Sequence, residues 1–351
     1  LTRSPVRGLL RLGATVAGAW LAAAIAFARA DLILPAPEWS ALALGAYLLL
    51  VSYRVFFEDQ QKRWIRHAFR HYLSPALVDD LAAHPERLKL GGERRPVAVM
   101  FLDLAGFTSL SERLQDRPED LVRILNEALG RFAEEIERQG GFVDKFIGDA
   151  VMGVWGAPAT GDNDAQAAAR TALLCRKAMQ AGGKELSGLR IGLSCGDAIA
   201  GNMGAAKRFN YTVVGDTVNL ASRLETANKI YGTEILATEA VAAALDDTIV
   251  TRAIDRVRVA GKTAPVTLVE VVGFSDEVND ATRQRLSAFE AARAHYVNGD
   301  FETAAREFAK IADDDPVARV FAARARRFAA EPPPDGWDGV TTLAADKSQK
   351  A

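Results

Sequence analysis

Histidine and cysteine are scarce: the 351 residues include four histidines and two cysteines. Cys175 and Cys195 are too few for a disulfide framework or a cysteine metal cluster. Cys175 also lies in an Ala-rich helical run, where a small buried hydrophobe is the simpler role. So few thiols fit a reducing compartment for the bulk of the chain. His67, His71, His84 and His295 all lie outside the strand-and-turn segments described below, so no Ser-His-Asp or Cys-His arrangement is called on. Charge of one sign is lacking too. The 43 Lys and Arg nearly balance 45 Asp and Glu, for a net charge of -2, and nothing in the whole-chain charge points to nucleic acid. What is plentiful is apolar surface, 49% of residues, enough for true cores in two or three units.

Long uncharged runs occur only near the N-terminus. Residues 12–28, LGATVAGAWLAAAIAFA, are flanked by Arg11 and Arg29, and a second run occupies residues 39–53. Each is close to the lower limit of the about 17–25 residues that a spanning helix needs. The connector ARADLILPAPEW holds Pro35 and Pro37 and a single cation, Arg29. Arg3, Arg7 and Arg11 precede the first run; Arg54, Lys62, Arg63 and Arg66 follow the second. The positive-inside bias then predicts a transmembrane hairpin over residues 1–57 with both ends in the cytoplasm. A signal peptide is the rival for the first run, and the second run argues against it; a buried soluble hairpin is the other reading. Residues 58–94 read as a helical signalling linker, either a two-stranded coil or a plain connector, with a helix restart at Ser74-Pro75.

From 95 to 274 strands and helices alternate. PVAVMFLDLA is an apolar strand that delivers Asp103 at its end. PEDLVRILNEALGRFAEEIERQGG is an amphipathic helix opened by Pro118 and stopped at Gly140-Gly141. GFVDKFIGDAVMGVWG reads as a hairpin with its turn at Gly148-Asp149. Further strands fall in LRIGLSCGDAIAGNMG, in NYTVVGDTVNL and near 253–259 and 265–272, with a helix over DTVNLASRLETANKIYG. Helices layered on a mixed sheet in a split βαβ plan, an α+β fold, are the natural outcome. Residues 275–351 read as a helical tail with one tetratricopeptide-like helix pair, Gly299 at its turn and Ala304 and Phe308 facing inward. A single such pair must lean on a neighbouring domain or a partner.

Two segments suggest chemistry. After Asp103 a helix begins, leaving the backbone N–H groups near Gly106, Phe107 and Thr108 free for phosphate oxygens. An acid beside phosphates calls for a cation such as Mg²⁺, although a helix-capping Asp accounts for this segment alone equally well. Asp149, in a tight turn between apolar strands, supplies a second carboxylate if the hairpin pairs beside the first strand. Two metal ions about 3.5–4 Å apart are the usual clamp for in-line phosphoryl displacement. Asn219 and Arg223 are four apart and share a helix face; without the surrounding motif, an ion pair of Arg223 with Glu225 would be the default. Gly261-Lys262 alone is a weak signal.

FLDLAGFTSLSE, VDKFIGDAVMGVWGAP and NYTVVGDTVNLASRLE together resemble the three signature stretches of class III adenylate and guanylate cyclases. The resemblance covers about half the chain. It implies the ferredoxin-like catalytic fold of that family, with Asp103 and Asp149 holding two divalent ions, Mg²⁺ or Mn²⁺. It implies base reading by Lys145 and Thr212, ribose orientation by Asn219, transition-state stabilisation by Arg223 and contact of Lys262 with the terminal phosphates. In the family the metal residues and the base-reading and transition-state residues of one site come from different subunits, which implies a homodimer with two sites. Adenine offers an acceptor at N1 and a donor at N6, matching a donor-only Lys145 and an accepting Thr212 hydroxyl. ATP is then the expected substrate and cyclic AMP the product, with guanylate cyclase or a silent nucleotide-binding module as alternatives. Threonine at position 212 departs from the family's frequent Asp, as in a subgroup of bacterial adenylate cyclases, some bicarbonate-responsive. The N-terminal hairpin, charged helix and tail more weakly resemble bacterial inner-membrane, multi-pass cyclases with a CHASE2 sensor; that sensor is not present here, as in a fragment or shortened homologue.

Overall fold

The computed structural model describes residues 5–69, 91–181, 186–205, 208–258, 264–334 and 336–342. It divides into two compact units, Leu1–Val78 and Asp79–Ala351.

In the first unit, α1 (Pro5–Ala30) and α2 (Ala36–Phe69) are joined by residues 31–35. Pro35 breaks the chain between them. Trp20 Nε1 donates to Ser40 Oγ at 3.2 Å, and Ser40 Oγ donates in turn to the Ala36 carbonyl at 2.8 Å. Among the described residues one helical segment, Leu10–Ala30, is long and apolar enough to cross a membrane. The second apolar run is not a separate element. It forms the first half of α2, a single helix of 34 residues that continues into the charged segment. The Ser74-Pro75 restart lies outside the described residues.

The second unit is built on one mixed sheet. Its strands are β1 (Gly91–Ala105), β2 (Phe142–Ile147), β3 (Ala150–Trp155), β4 (Gly188–Ala205), β5 (Arg208–Val214), β6 (Ile235–Thr238), β7 (Ile249–Arg258), β8 (Val266–Phe274) and β9 (Val340–Thr342). The order is β2-β3-β1-β4-β6-β8-β7-β9, with β5 paired to β4. The β4–β6 and β7–β9 pairs are parallel. Around the sheet lie α3 (Phe107–Arg113), α4 (Pro118–Arg138), α5 (Asp164–Ala181), α6 (Asp216–Tyr231) and the short α7 (Glu239–Ala242). Three helices end the unit: α8 (Asp280–Val297), α9 (Phe301–Ile311) and α10 (Pro316–Ala330).

Residues 96–105 of β1 read as a nearly continuous apolar run because both faces are covered there. Ala98, Met100, Leu102 and Leu104 pack with Leu129, Phe132 and Ile136 of α4 and with the alanines of α5. Val97 and Val99 point the other way, into a core with Met152, Val213 and Ala221. Pro118 occupies the first turn of α4, and Ile124, Ala128, Leu129, Phe132 and Ile136 repeat at helical spacing on its buried face. Cys175 is fully buried on α5, and burial pushes its thiol up to about 12.

The tail leans on this sheet. Asn279, Asp300 and Asp315 cap α8, α9 and α10 by accepting backbone N–H groups. The expected pair around Gly299 (φ +82°) is α8 and α9, with Ala304 and Phe308 fully buried, and α10 adds a third helix. Phe289, Tyr296, Phe308 and Phe321 share a core with Leu220, Leu224 and Tyr231 of α6 and with Ile254 and Val257 of β7. Strand β9 then adds to the edge of β7.

Buried charge ties the tail in place. Asp255, 2% exposed, accepts from Arg324 Nη1 at 2.6 Å and from the Tyr231 hydroxyl at 2.6 Å. Burial foremost, then the Asp255 charge, holds the Tyr231 phenol well above its ordinary range. Removing one member of a buried pair leaves the other uncompensated, at a cost of about 3–5 kcal/mol. Asp255→Ala should therefore lower unfolding free energy by about that amount in urea titrations. A loss below about 1 kcal/mol would show that the pair does not anchor the tail.

Candidate active site

The acidic end of β1 is set by strand register. Asp103 lies opposite Ala150 of β3 on one side and Arg190 of β4 on the other. The β2–β3 turn, with Gly148 at φ +64°, carries Asp149 beside it. That backbone conformation is disfavoured for any residue with a Cβ. Arg190 Nη2 donates to Asp103 Oδ2, and Arg190 Nε donates to Glu225 Oε1 of α6 at 3.1 Å. Burial, and then the nearby Asp103 charge, raises the Asp149 carboxyl above its ordinary value, with Arg190 acting weakly against. Glu225 is raised by burial first and by Asp103 next, opposed by hydrogen bonds from Arg190 and Thr226. Two acids with a single guanidinium between them leave negative charge poorly compensated at Asp149.

A hard divalent cation fits this donor set. Among the described residues no group of three or more His, Cys, Asp or Glu forms a metal cage. Mg²⁺ binds with one or two carboxylates and completes its shell with water and substrate phosphates. Immediately after β1, Gly106 (φ +80°) precedes α3, whose first backbone bond returns from the Leu110 N–H to the Gly106 carbonyl at 3.0 Å. The N–H groups of Phe107 and Thr108 thus have no partner within the helix; the Phe107 residue is half-buried and Thr108 is exposed.

A second group gathers Lys145 and Thr212. Lys145 Nζ donates to Thr212 Oγ1 at 3.0 Å, and the Thr212 hydroxyl donates to Asp144 Oδ2 at 2.7 Å. The register of β2 shifts between Val143 and Lys145, a bulge at Asp144. It lets two consecutive side chains reach the same partner on β5.

Helix α6 carries Asn219 and Arg223 one turn apart. Asn219 is exposed and Arg223 half-buried, and neither side chain bonds to any described residue. The helix sits directly on β4 because Gly192 has no side chain: a Cβ there would lie 2.0 Å from the Ala221 carbonyl oxygen. Asn228 secures the far end, donating to the Ile191 carbonyl at 2.9 Å. Lys262 lies outside the described residues. Within one chain, then, Asp103 joins Asp149, Lys145 joins Thr212, and Asn219 stands with Arg223. Arg190 and Asp144 were not singled out from the sequence, and Glu225, named there as a default partner of Arg223, bonds Arg190 instead. Arg190 and Asp103 are 87 residues apart, and only the strand register reveals their contact.

Residues 92–271 match the family described as the adenylate and guanylate cyclase catalytic domain. Over 193 residues, 53% of this chain, the sequence is 37% identical to adenylate cyclase 1 of Rhizobium meliloti, covering 29% of it. Over 264 residues, 69% of this chain, it is 31% identical to the adenylate cyclase of Anabaena cylindrica, covering 50% of it. The chain thus spans half or less of the length of these curated relatives. In fold it is similar to a bacterial light-regulated adenylyl cyclase, with a TM-score of 0.52, 22% identity, and coverage of 67% of this chain and 68% of that one.

The raised Asp149 carboxyl gives a sign to test. A folded carboxyl held above its unfolded value favours the protonated form, so its contribution to stability is present at low pH and is lost as pH rises through the raised value. At pH 8 without metal, Asp149→Asn should raise Tm, while Mg²⁺ should raise the Tm of the unsubstituted protein and leave that of the variant unchanged. An equal Mg²⁺ response in both proteins would remove Asp149 from the cation site.

Proposed function

The chain belongs to the adenylate and guanylate cyclase catalytic-domain family, and from that premise we propose that it is an adenylate cyclase. It converts ATP to 3′,5′-cyclic AMP and pyrophosphate in a homodimer whose two sites each draw residues from both chains. The observation that carries this reading is the state of Arg223: half-buried, one turn from Asn219, with no acid or carbonyl among the described residues to bond. Glu225, two residues along the same helix, is engaged by Arg190, which also takes Asp103. A guanidinium kept free in this way suits phosphoryl charge that arrives with a substrate held by a partner's carboxylates.

The ribose 3′-hydroxyl attacks the α-phosphorus, its proton leaves to solvent, and the bond to the β-phosphate oxygen breaks to release pyrophosphate. Two divalent ions, Mg²⁺ or Mn²⁺, held by Asp103 and Asp149 would neutralise phosphate charge and lower the pKa of the attacking hydroxyl. Arg223 stabilises the charge that builds on the equatorial oxygens, and the Asn219 amide orients the ribose. The N–H groups of Phe107 and Thr108, with Lys262, hold the phosphate chain. Lys145 donates to adenine N1, and Thr212 accepts from the N6 amino group. Homodimer formation is supported by apolar side chains left exposed on β2, β4 and β5, namely Ile147, Ile199 and Val214.

Leu10–Ala30 supports a membrane anchor in contact with lipid. We read residues 39–53 as the return span, which puts both ends and the catalytic unit in the cytoplasm of a bacterial inner membrane.

The test is a product assay with ATP and GTP, each with Mg²⁺ or Mn²⁺, resolved by chromatography. Cyclic AMP should form from ATP well above cyclic GMP from GTP. Asp103→Ala and Asp149→Ala should abolish it, and Arg223→Ala should lower kcat about 10³-fold with a folded protein. Near-normal activity in the two Asp variants, or cyclic GMP as the main product, would overturn the reading.

A further inference from the structure

We propose that Asp144 is a positioning residue that sets base selectivity, by holding the one hydroxyl proton of Thr212 so that this hydroxyl meets the nucleotide only as an acceptor. The inference rests on the base-reading role proposed above for Lys145 and Thr212, and goes beyond it by naming what makes a threonine selective. A threonine hydroxyl has one proton to donate and two lone pairs to accept with, and it rotates to suit its partner. Left free, it would accept from the N6 amino group of adenine or donate to the O6 of guanine with equal ease. A threonine by itself does not discriminate.

The surroundings of Thr212 remove that freedom. Its oxygen is 2.7 Å from Asp144 Oδ2 and 3.0 Å from Lys145 Nζ. An ammonium only donates and a carboxylate only accepts, so the hydroxyl proton points at Asp144 and one lone pair takes Lys145. What remains for a ligand is the second lone pair. Asp144 is well placed to hold this arrangement, since its side chain is fully buried. Oδ2 also accepts the Val213 N–H at 3.2 Å, which fixes it against the strand that carries Thr212. Oδ1 has the Lys145 ammonium at 2.9 Å as its counter-charge and no hydrogen-bond donor aligned on it. Lys145 keeps at least one N–H free, and its side chain is 45% exposed. The three side chains therefore present one donor and one acceptor, the complement of the N1 and N6 edge of adenine. A 6-oxo purine meets this edge with a donor against Lys145 and an acceptor against Thr212, and both contacts fail.

The experiment compares ATP, purine riboside triphosphate, which lacks the 6-amino group, and ITP, which carries the 6-oxo edge. It reads kcat/KM together with displacement of a fluorescent ATP analogue. The unsubstituted protein should lose about tenfold in going from ATP to purine riboside triphosphate, the worth of one hydrogen bond. It should lose about a hundredfold or more to ITP, whose edge leaves buried polar groups mispaired. Asp144→Asn and Asp144→Ala should shrink the ATP:ITP ratio about tenfold or more, because the Thr212 hydroxyl is then free to turn. On a Thr212→Val background, adding Asp144→Ala should leave that ratio unchanged within about twofold, since Asp144 acts through the hydroxyl. ITP as good as purine riboside triphosphate in the unsubstituted protein would overturn the proposal. So would an Asp144 substitution that weakens all three nucleotides equally in a folded protein. If the Asp144 variants do not fold, the analogue series on the unsubstituted protein still decides. Nucleotides that bind in the order ATP, purine riboside triphosphate, ITP but are not cyclised would defeat the assigned activity and leave this inference standing.

Discussion

Burial of β1 on both faces is the constraint on which the arrangement depends. Its even-numbered side chains are committed to α4 and α5, and its odd-numbered ones, Val97 and Val99, to the core beneath α6. Within residues 96–105 charge appears only at Asp103, where the odd-numbered row runs out from under that cover. The same register brings Arg190 alongside it and, through β3, the turn that holds Asp149. Two carboxylates thus meet at the end of the apolar half of the strand, which gives them partial burial and raises Asp149.

Helix α6 is the second fixed part. Gly192 admits it to backbone distance of β4, and Asn228 bonds its last turn to the same strand. On its other side the tail closes over it: Leu224 and Tyr231 share a core with Phe289 and Phe321. Tyr231 then reaches Asp255, which Arg324 of α10 neutralises. A helix clamped between sheet and tail presents Asn219 and Arg223 with little freedom, so the entropy of orienting them is settled during folding. The tail is therefore part of the scaffold that positions the two residues proposed to act on the nucleotide, whatever else it contacts.

Much of this was legible in the sequence, and the limits are physical. The β2–β3 hairpin was announced by Gly148-Asp149 between apolar runs, and α4 by Pro118 and Gly140-Gly141, because these signals are local. The membrane-like segment was legible from composition, but the end of its second run was not. No breaker separates residues 39–53 from the charged residues that follow, so both form one helix, α2. Asp144 and Arg190 carried no signal at all. One acts through a bulge that reaches a strand 68 residues away, and the other through a strand pairing that spans 87. Such contacts depend on register, which a single sequence does not state. Strand β9 was missed for the same reason: three residues near the end of the chain become a strand only because β7 offers an edge.

The central claim is that each site is shared between two chains, and mixing two inactive chains tests it most directly. Asp103→Ala and Arg223→Ala chains, each nearly inactive alone, are co-expressed with different tags, and the mixed dimers are confirmed by pull-down. In a symmetric pair, one site of the mixed dimer carries both lesions and the other carries none. Random pairing makes about half of the dimers mixed, each with one intact site, so activity should return to about a quarter of that of the unsubstituted protein. Mixed dimers that recover no activity would contradict a site built across the interface.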